Sequence, residues 1–374
     1  MLILTLGTQA SASTWIFNAV RAIFSVNEIH AASAMSEEGC QFLGMMPSGF
    51  DHFILKSHRM DSNLINLARI SSSKVIVTSR DPRDVLVSQK ERFDSEYRDQ
   101  IGSLSRSLVS IASIPTSLDT MHLQYEDRFF ERSDTIRRLA SFLSLPVTDE
   151  QCESIFAALS PEAVRAQIST WVSEAAPRDT EEWDMATHWH PGHLGDGRSG
   201  KWVGALPDVA RKAAEGALAP FHAPKDFRSE ETFWSPYLFN GPETDRGGAV
   251  TLSVNGEASL LVHGPYLCLP VGRWMMRPVL KAPSDGRLIA IKMDAYTYAD
   301  DRGVMEMKTL VLPITAKKAP SLEIDVVDHL HPLEFRLYSV NDGRKGTFEF
   351  GGVRLKYLGE SSNLGLHPAM SRVA

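Results

Sequence analysis

A chain of 374 residues with 43% hydrophobic and 23% charged side chains has the balance of a soluble globular protein and the length for two cores of ordinary size. Its 39 basic and 46 acidic side chains argue against a nonspecific nucleic-acid binder, and no run approaches the roughly 20 apolar residues that cross a bilayer. Cys40, Cys152 and Cys268 lie too far apart for a disulfide framework, which points to a reducing, cytoplasmic compartment; the apolar start LILTL lacks the basic leader and the length of a secretion signal.

In chain order, Leu2–Leu6 reads as a buried strand, Gly7 as a sharp turn, and Ser13 or Thr14 as the cap of a helix whose apolar face carries Trp15, Ile16, Ala19 and Ile23. Such a helix aims unpaired backbone N–H groups at its entry loop and favours an anion there. Laying the nucleotide P-loop pattern G-x-x-x-x-G-K-[ST] on Gly7 puts Ala12 at the second glycine and Ser13 at the lysine. An ATP or GTP kinase loses its main support on that ground, although Thr14 sits where a magnesium-binding hydroxyl would be. The plain alternative is a strand-turn-helix whose hydroxyls merely cap.

Further strands are expected at His52–Leu55, Lys74–Thr78 and Met121–Tyr125, each followed by helical spacing, with Pro82 in the first turn of one helix and Ser160-Pro161-Glu162 opening another. This alternation, running to about Pro220, predicts an α/β fold with a mostly parallel sheet flanked by helices and ligands beyond the carboxyl ends of its strands. Residues 221–247 read as a linker. Residues 248–360 read as an all-β sandwich or jelly roll, with strands near Val250–Val254, Ser259–Val262, Leu288–Met293, Val304–Val311, Leu322–Val327, Glu334–Val340 and Phe348–Tyr357, broken by turns at Ser284-Asp285-Gly286 and Asn341-Asp342-Gly343. Residues 361–374 read as a flexible tail.

Four stretches carry chemistry. ILKSHR puts Lys56 and His58 at a strand end beside the Gly7 loop, where a histidine suits a general base. VIVTSRDPRDVLVSQ puts Arg80 at the next strand end and Ser88 on the following helix, a pair able to hold a phosphate. Between Lys56 and Arg92 eight lysines and arginines face four acids, although Arg83, Lys90 and Arg92 read as a solvated helix face. LQYEDRFF ends a strand at Tyr125, and THWHPGHLGDGRSGKWVGAL is a glycine-rich basic loop before a helix at Pro207–Leu218. His188, His190 and His193 have spacings that could ligate a metal, but without acids or cysteines in a recognised arrangement no metal is expected.

Together these stretches resemble the sulfotransferases that use 3′-phosphoadenosine 5′-phosphosulfate (PAPS), a P-loop-like α/β family. GTQASASTW looks like their phosphosulfate loop, LKSHR their Lys-Thr-His strand end, and RDPRDVLVSQ their 3′-phosphate segment. LQYED looks like the Tyr-Glu-Asp strand, and GDGRSGKW the loop that closes over the nucleotide. The match spans about residues 1–220, in the family order. The resemblance implies PAPS as donor, adenosine 3′,5′-bisphosphate (PAP) as product, no metal, and in-line transfer to an acceptor hydroxyl. It assigns catalysis to His58 as base and to Lys56. Cofactor binding falls to Gln9, Ala10, Ser11, Ala12, Ser13, Thr14 and Trp15 around the phosphosulfate, with Trp15 equally suited to the core. Arg80, Ser88 and Arg198 take the 3′-phosphate, joined by Tyr125, Ser199, Gly200 and Lys201.

Two positions depart from the family pattern. Ala10 stands where the family has Lys or Arg, and Ala12 where it has glycine. A weak or inactive relative that binds nucleotide or glycan is therefore the alternative, ahead of a kinase. The expected acceptor is a carbohydrate or glycoconjugate hydroxyl, with Tyr266, Trp274 and Tyr298 either stacking on sugar or buried in the sandwich. Nucleic acid and membrane are not expected as partners; a homo-oligomer is compatible with the sequence.

Overall fold

The computed structural model describes residues 1–170, 184–218, 221, 231–281, 289–299, 303–305, 310–313 and 320–360. The turn expected at 284–286 and the tail expected at 361–374 lie outside them. The chain divides into two compact units, Met1–Glu96 with Ser113–Ala205, and Tyr97–Ala112 with Leu206–Ala374.

The first unit runs β1 (Leu2–Gly7), α1 (Ser13–Val26), β2 (Ala31–Met35), α2 (Gly39–Met45), β3 (His52–Ser57), α3 (Ser62–Ile70), β4 (Lys74–Ser79) and α4 (Pro82–Phe93). After α5 (Tyr97–Ala112), which groups with the second unit, it resumes with β5 (Asp119–Gln124), α6 (Asp134–Leu143), α7 (Asp149–Ala158) and α8 (Pro161–Ser169). The five strands form one parallel sheet in the order β2-β3-β1-β4-β5. All six residues of β1 are buried, as a central strand covered on both faces requires. Ile3, Ile54, Ile76 and Leu123 pack with Ile16, Val20 and Ile23 of α1 and with apolar residues of α6, α7 and α8.

Helix starts follow local chemistry. Pro82 occupies the first turn of α4 behind the Asp81 cap, and Ser160 caps α8 ahead of Pro161. The strand β2 was not expected, because the small residues of AASAM lack a β-branched or aromatic pattern; it is held at the sheet edge by pairing with β3. Tyr125, expected as a strand end, instead opens a 3₁₀ turn, Tyr125–Asp127.

The second unit contains α5, α9 (Asp208–Leu218), β6 (Glu231–Trp234), β7 (Val250–Asn255), β8 (Ser259–Leu267), β9 (Gly272–Lys281), β10 (Ala290–Ala299), β11 (Gly303–Met305), β12 (Leu310–Pro313), β13 (Leu322–Val326), β14 (Leu333–Ser339) and β15 (Lys345–Gly359). Two antiparallel sheets result, β11-β10-β14-β8 with β12 also on β10, and β13-β9-β15-β6 with β7 also on β15. The expected sandwich is thus present, with two additions. The stretch expected as a linker contributes β6, whose Trp234 pairs with Val353. The strand β9 was hidden by Pro278, which lies opposite Val353 where the β9–β15 register shifts. Gly352 occupies that irregularity with φ +101°, where a Cβ would lie 2.4 Å from the Trp234 carbonyl oxygen.

Inner residues of both sheets meet at Phe239. Its ring lies 6.3 Å from Phe335 of β14 and 5.3 Å from Phe350 of β15, edge to face in each case. Phe239→Ala removes a ring that touches both and is expected to cost about 3–5 kcal/mol. The measurement is the urea midpoint followed by the fluorescence of Trp234 and Trp274; an unchanged midpoint would show that this ring does not tie the sheets together.

Candidate active site

Parallel pairing brings three strand ends to one edge. Leu6 stands beside Ser57 and Gly7 beside Thr78, so the residues that follow β1, β3 and β4 gather there. At Gly7 a Cβ would sit 2.1 Å from Thr78 Oγ1 and 2.7 Å from Ser13 Cβ, so no other residue fits without displacing the loop. The loop is tied down from within. Thr8 N–H donates to the Thr78 carbonyl at 3.1 Å, and Ser11 Oγ donates to the Thr8 carbonyl at 2.6 Å while sharing a 2.7 Å hydrogen bond with Thr78 Oγ1. Ser11 is fully buried, a loop fastener.

Ala10 and Ala12 both adopt left-handed backbone, at φ 54° and 62°. With a Cβ this costs about 1–2 kcal/mol per residue, so the loop keeps a glycine-like path without glycine. Ala12 is the N-cap of α1, and no side chain caps it; Ser13, expected as a cap, is the first helical residue. A left-handed N-cap with a methyl side chain offers no acceptor to the first turn, whose N–H groups therefore remain directed at the loop. Gln9 and Ala10 are half-buried, and Ser13 and Thr14 are buried at the helix mouth. Trp15 lies in the core, edge-on to Phe129 at 6.1 Å.

On the β3 side, His58 Nδ1 lies 2.8 Å from the Gly7 carbonyl oxygen. A carbonyl only accepts, so Nδ1 carries the proton and Nε2 keeps its lone pair. Burial, then the positive charge of Lys56, push the His58 pKa down to about 3, so the imidazole is neutral. Lys56, 2% exposed, makes no ion pair among the described residues; its Nζ lies 3.9 Å from the Met35 sulfur. Burial and then repulsion from Arg92 lower its pKa to about 8, against a weak opposing pull from Glu37, itself paired with Arg59 at 2.5 Å.

On the β4 side, Arg80 is nearly buried, and its guanidinium joins three segments. Nη1 donates to the Ala10 carbonyl at 3.0 Å and to Ser88 Oγ at 3.2 Å, and Nη2 donates to the Arg198 carbonyl at 2.8 Å. The Tyr125 ring lies 4.0 Å from the guanidinium carbon and stacks on Phe130. Tyr125 is thus a platform for Arg80, and burial raises its hydroxyl pKa.

The glycine-rich loop is anchored by Asp84, a residue the sequence reading did not single out. Its carboxylate accepts from Gly200 N–H at 2.6 Å and Trp202 N–H at 3.0 Å. Lys201 pairs with Glu91 at 2.5 Å, and the guanidinium carbon of Arg83 lies 3.9 Å from the centre of the Trp202 ring. Ser199 is exposed. Arg198 brings its carbonyl to Arg80, while its own guanidinium is exposed and held by Asp196 at 2.8 Å. An acid one turn into a helix is a common surface feature, so only the fold marks Asp84 as an anchor.

The histidine segment packs on the same unit. The rings of His188 and Phe17 lie 5.2 Å apart, and Asn18 donates to the Thr187 carbonyl at 2.8 Å. Burial lowers the His188 pKa to about 4 and that of His190 to about 3. Among the described residues no group of three or more His, Cys, Asp or Glu side chains could hold a metal. Arg92, expected on a solvated face, is half-buried, with Nη2 3.5 Å from His190 Nδ1.

Residues 46–202 match the family model described as the sulfotransferase domain. The matched segment contains Lys56, His58, Arg80, Ser88, Tyr125 and Arg198; the Gly7 loop lies before it. Among solved structures, the chain is similar to a mouse sulfotransferase complexed with PAP, at 13% identity and TM-score 0.42 over 56% of this chain and 79% of that one. It is similar to a retinol dehydratase complexed with retinol and PAP at 16% identity and TM-score 0.42, over 61% and 83%. Over 34% of its length the chain is similar to a xylan-binding domain from Paenibacillus barcinonensis, at 11% identity and TM-score 0.21 over 93% of that domain. No curated protein sequence matches. Among the described residues no helix is long and apolar enough to cross a membrane.

A buried lysine without a counter-charge opposes folding. Its pKa falls from 10.5 to about 8 in the fold, a cost of about 3 kcal/mol while it is protonated in both states. Because the folded value is the lower one, this cost is complete below pH 8 and fades as pH rises towards 10.5. Lys56→Met is therefore expected to raise the melting temperature at pH 7 and to lose most of that gain by pH 10. A variant no more stable than the parent at pH 7 would contradict this.

Proposed function

We propose that the first unit transfers the sulfuryl group of PAPS to an acceptor hydroxyl, with His58 as general base. The observation that carries the reading is the Arg80 guanidinium, which bonds Ser88 and the loop carbonyl of Ala10 at once. A clasp suited to the 3′-phosphate is thereby tied to a loop suited to the phosphosulfate. The residues present fit such a donor in three further respects. Among the described residues Ala12 gives α1 no side-chain cap, Lys56 lacks a carboxylate partner, and Arg80 Nε is buried without a hydrogen-bond partner.

When bound, PAPS supplies an activated sulfuryl group, which carries less negative charge than a phosphoryl group and needs no metal. Main-chain N–H groups at the mouth of α1, with Ser13 and Thr14, hold the phosphosulfate. Arg80 and Ser88 hold the 3′-phosphate by charge-assisted hydrogen bonds, and the loop from Arg198 to Lys201, fastened by Asp84, closes beside them. Lys56 stabilises the charge that develops on the leaving oxygen. His58, held by the Gly7 carbonyl, presents Nε2 to the acceptor hydroxyl and takes its proton. An anion bound beside it favours the imidazolium and raises its pKa from about 3. The proposed acceptor is a carbohydrate or glycoconjugate hydroxyl, with the β-sandwich as accessory module. Trp274 does not serve as a stacking platform there: it is fully buried and its indole N–H donates to the Pro270 carbonyl at 2.9 Å. Tyr266 donates to Glu334 at 2.8 Å, and the Tyr298 side chain lies outside the described residues.

Calorimetry with PAP, followed by transfer assays with PAPS, tests the assignment. Arg80→Ala is expected to weaken PAP binding at least thirtyfold, for a loss of about 2–3 kcal/mol. His58→Gln should keep PAP affinity and lose about 10²-fold or more in kcat. Unchanged affinity in the Arg80 variant removes the reading.

One observation favours a second reading, a nucleotide-binding relative that does not transfer: Ala10 gives the loop no cation. A missing preorganised donor costs about 3 kcal/mol in the transition state. If transfer occurs, Ala10→Lys is expected to raise kcat at least tenfold with little change in PAP affinity. Tight PAP binding with no transfer by the parent or by this variant would favour the second reading.

A further inference from the structure

The last turn of α4 carries a cation that the donor site does not use. Arg92 follows Ser88 by one helical turn on the same face, about 6 Å along the axis. The other basic side chains of α4 have acid partners, Arg83 with Asp81 at 2.6 Å and Lys90 with Asp94 at 2.9 Å. Arg92 has no ion pair among the described residues, and its Nε is buried without a hydrogen-bond partner. Its Nη2 faces His190 Nδ1 at 3.5 Å, a nitrogen that accepts the Gly192 N–H at 2.9 Å and so carries no proton of its own. Arg92 belongs to the same unit as Lys56 and His58, its guanidinium meets His190, and its positive charge helps lower the pKa of Lys56, His58 and His190.

A half-buried guanidinium facing a neutral imidazole is costly to desolvate, and a neutral hydroxyl acceptor would not offset that cost. Its planar fork matches a carboxylate or sulfate through two parallel hydrogen bonds. We propose that Arg92 receives an oxyanion group, a carboxylate or a sulfate ester, carried by the acceptor near the hydroxyl that His58 deprotonates. This rests on the sulfuryl-transfer reading and narrows its acceptor to an acidic one, such as a uronic acid or a sugar already sulfated.

The test compares the parent protein with Arg92→Gln and Arg92→Lys, each titrated with PAP and then, with and without PAP, with inorganic sulfate, glucuronate, glucose 6-sulfate and glucose. Circular dichroism and melting temperature report folding, and Arg92→Lys preserves the cation should Arg92→Gln not fold. The expected result is PAP affinity within twofold in all three proteins, with sulfate bound at least tenfold more weakly by Arg92→Gln and to an intermediate degree by Arg92→Lys. Glucuronate or glucose 6-sulfate should follow sulfate, and whichever does so identifies the oxyanion; glucose should not. Equal oxyanion binding by parent and Arg92→Gln, no oxyanion binding by the parent, or a tenfold loss of PAP affinity in Arg92→Gln would overturn the proposal, the last by placing Arg92 in the donor site. Absence of PAP binding to all three proteins would defeat the donor reading instead, and the sulfate comparison without PAP would still decide whether Arg92 binds an oxyanion.

Discussion

The guanidinium of Arg80 is the junction on which the rest of the site depends. A nearly buried cation must be satisfied locally, and here it bonds the Gly7 loop, α4 and the glycine-rich loop in one plane over Tyr125. Each partner comes from a different part of the chain, and each is held by an independent device. The loop is fastened by Ser11 and Thr78, the helix starts behind Asp81 and Pro82, and the distal loop hangs on Asp84. Loss of the guanidinium would leave two carbonyls and one hydroxyl, with the single O–H of Ser88 in place of three N–H donations.

Around that junction the first unit accumulates positive charge that it does not neutralise. Among the described residues Lys56 is buried without an ion pair and Arg92 is half-buried against a neutral histidine, while Arg83 and Lys201 nearby are paired with acids. Such an arrangement opposes folding and is stabilised when an anion binds, as the proposed function requires. The left-handed alanines of the loop belong to the same arrangement, since their strain holds the path by which the loop enters α1 without a side-chain cap from Ala12.

Legibility in the sequence followed periodicity. The strands β1, β3 and β4 were readable because each is a compact apolar run, and the sandwich because β7, β13 and β14 alternate or carry β-branched and aromatic residues. The strand β2 was not readable, since AASAM owes its strand geometry to pairing with β3, and β9 was masked by a proline that a register shift accommodates. Arg80 and Ser88 were recognisable from a motif at fixed spacing. Asp84 and Arg92 were not, because an acid or a base on an amphipathic helix looks the same whether it meets water or another loop.

The amino-acid order by itself determined the α/β alternation, the β-rich second half and the Gly7 turn, because these rest on local period and spacing, while the Lys56, His58, Arg80 and Ser88 constellation was legible through its resemblance to a family pattern. Tertiary structure alone decided that Ala12 rather than Ser13 is the N-cap of α1, that Trp15 and Trp274 are core residues, that α5 packs with the second unit, and that Arg92 turns inward to His190. The physical reason is that burial and partnership belong to pairs distant in sequence. A side chain's charge or hydroxyl is written locally, but the group that answers it is supplied by a strand end or loop tens of residues away.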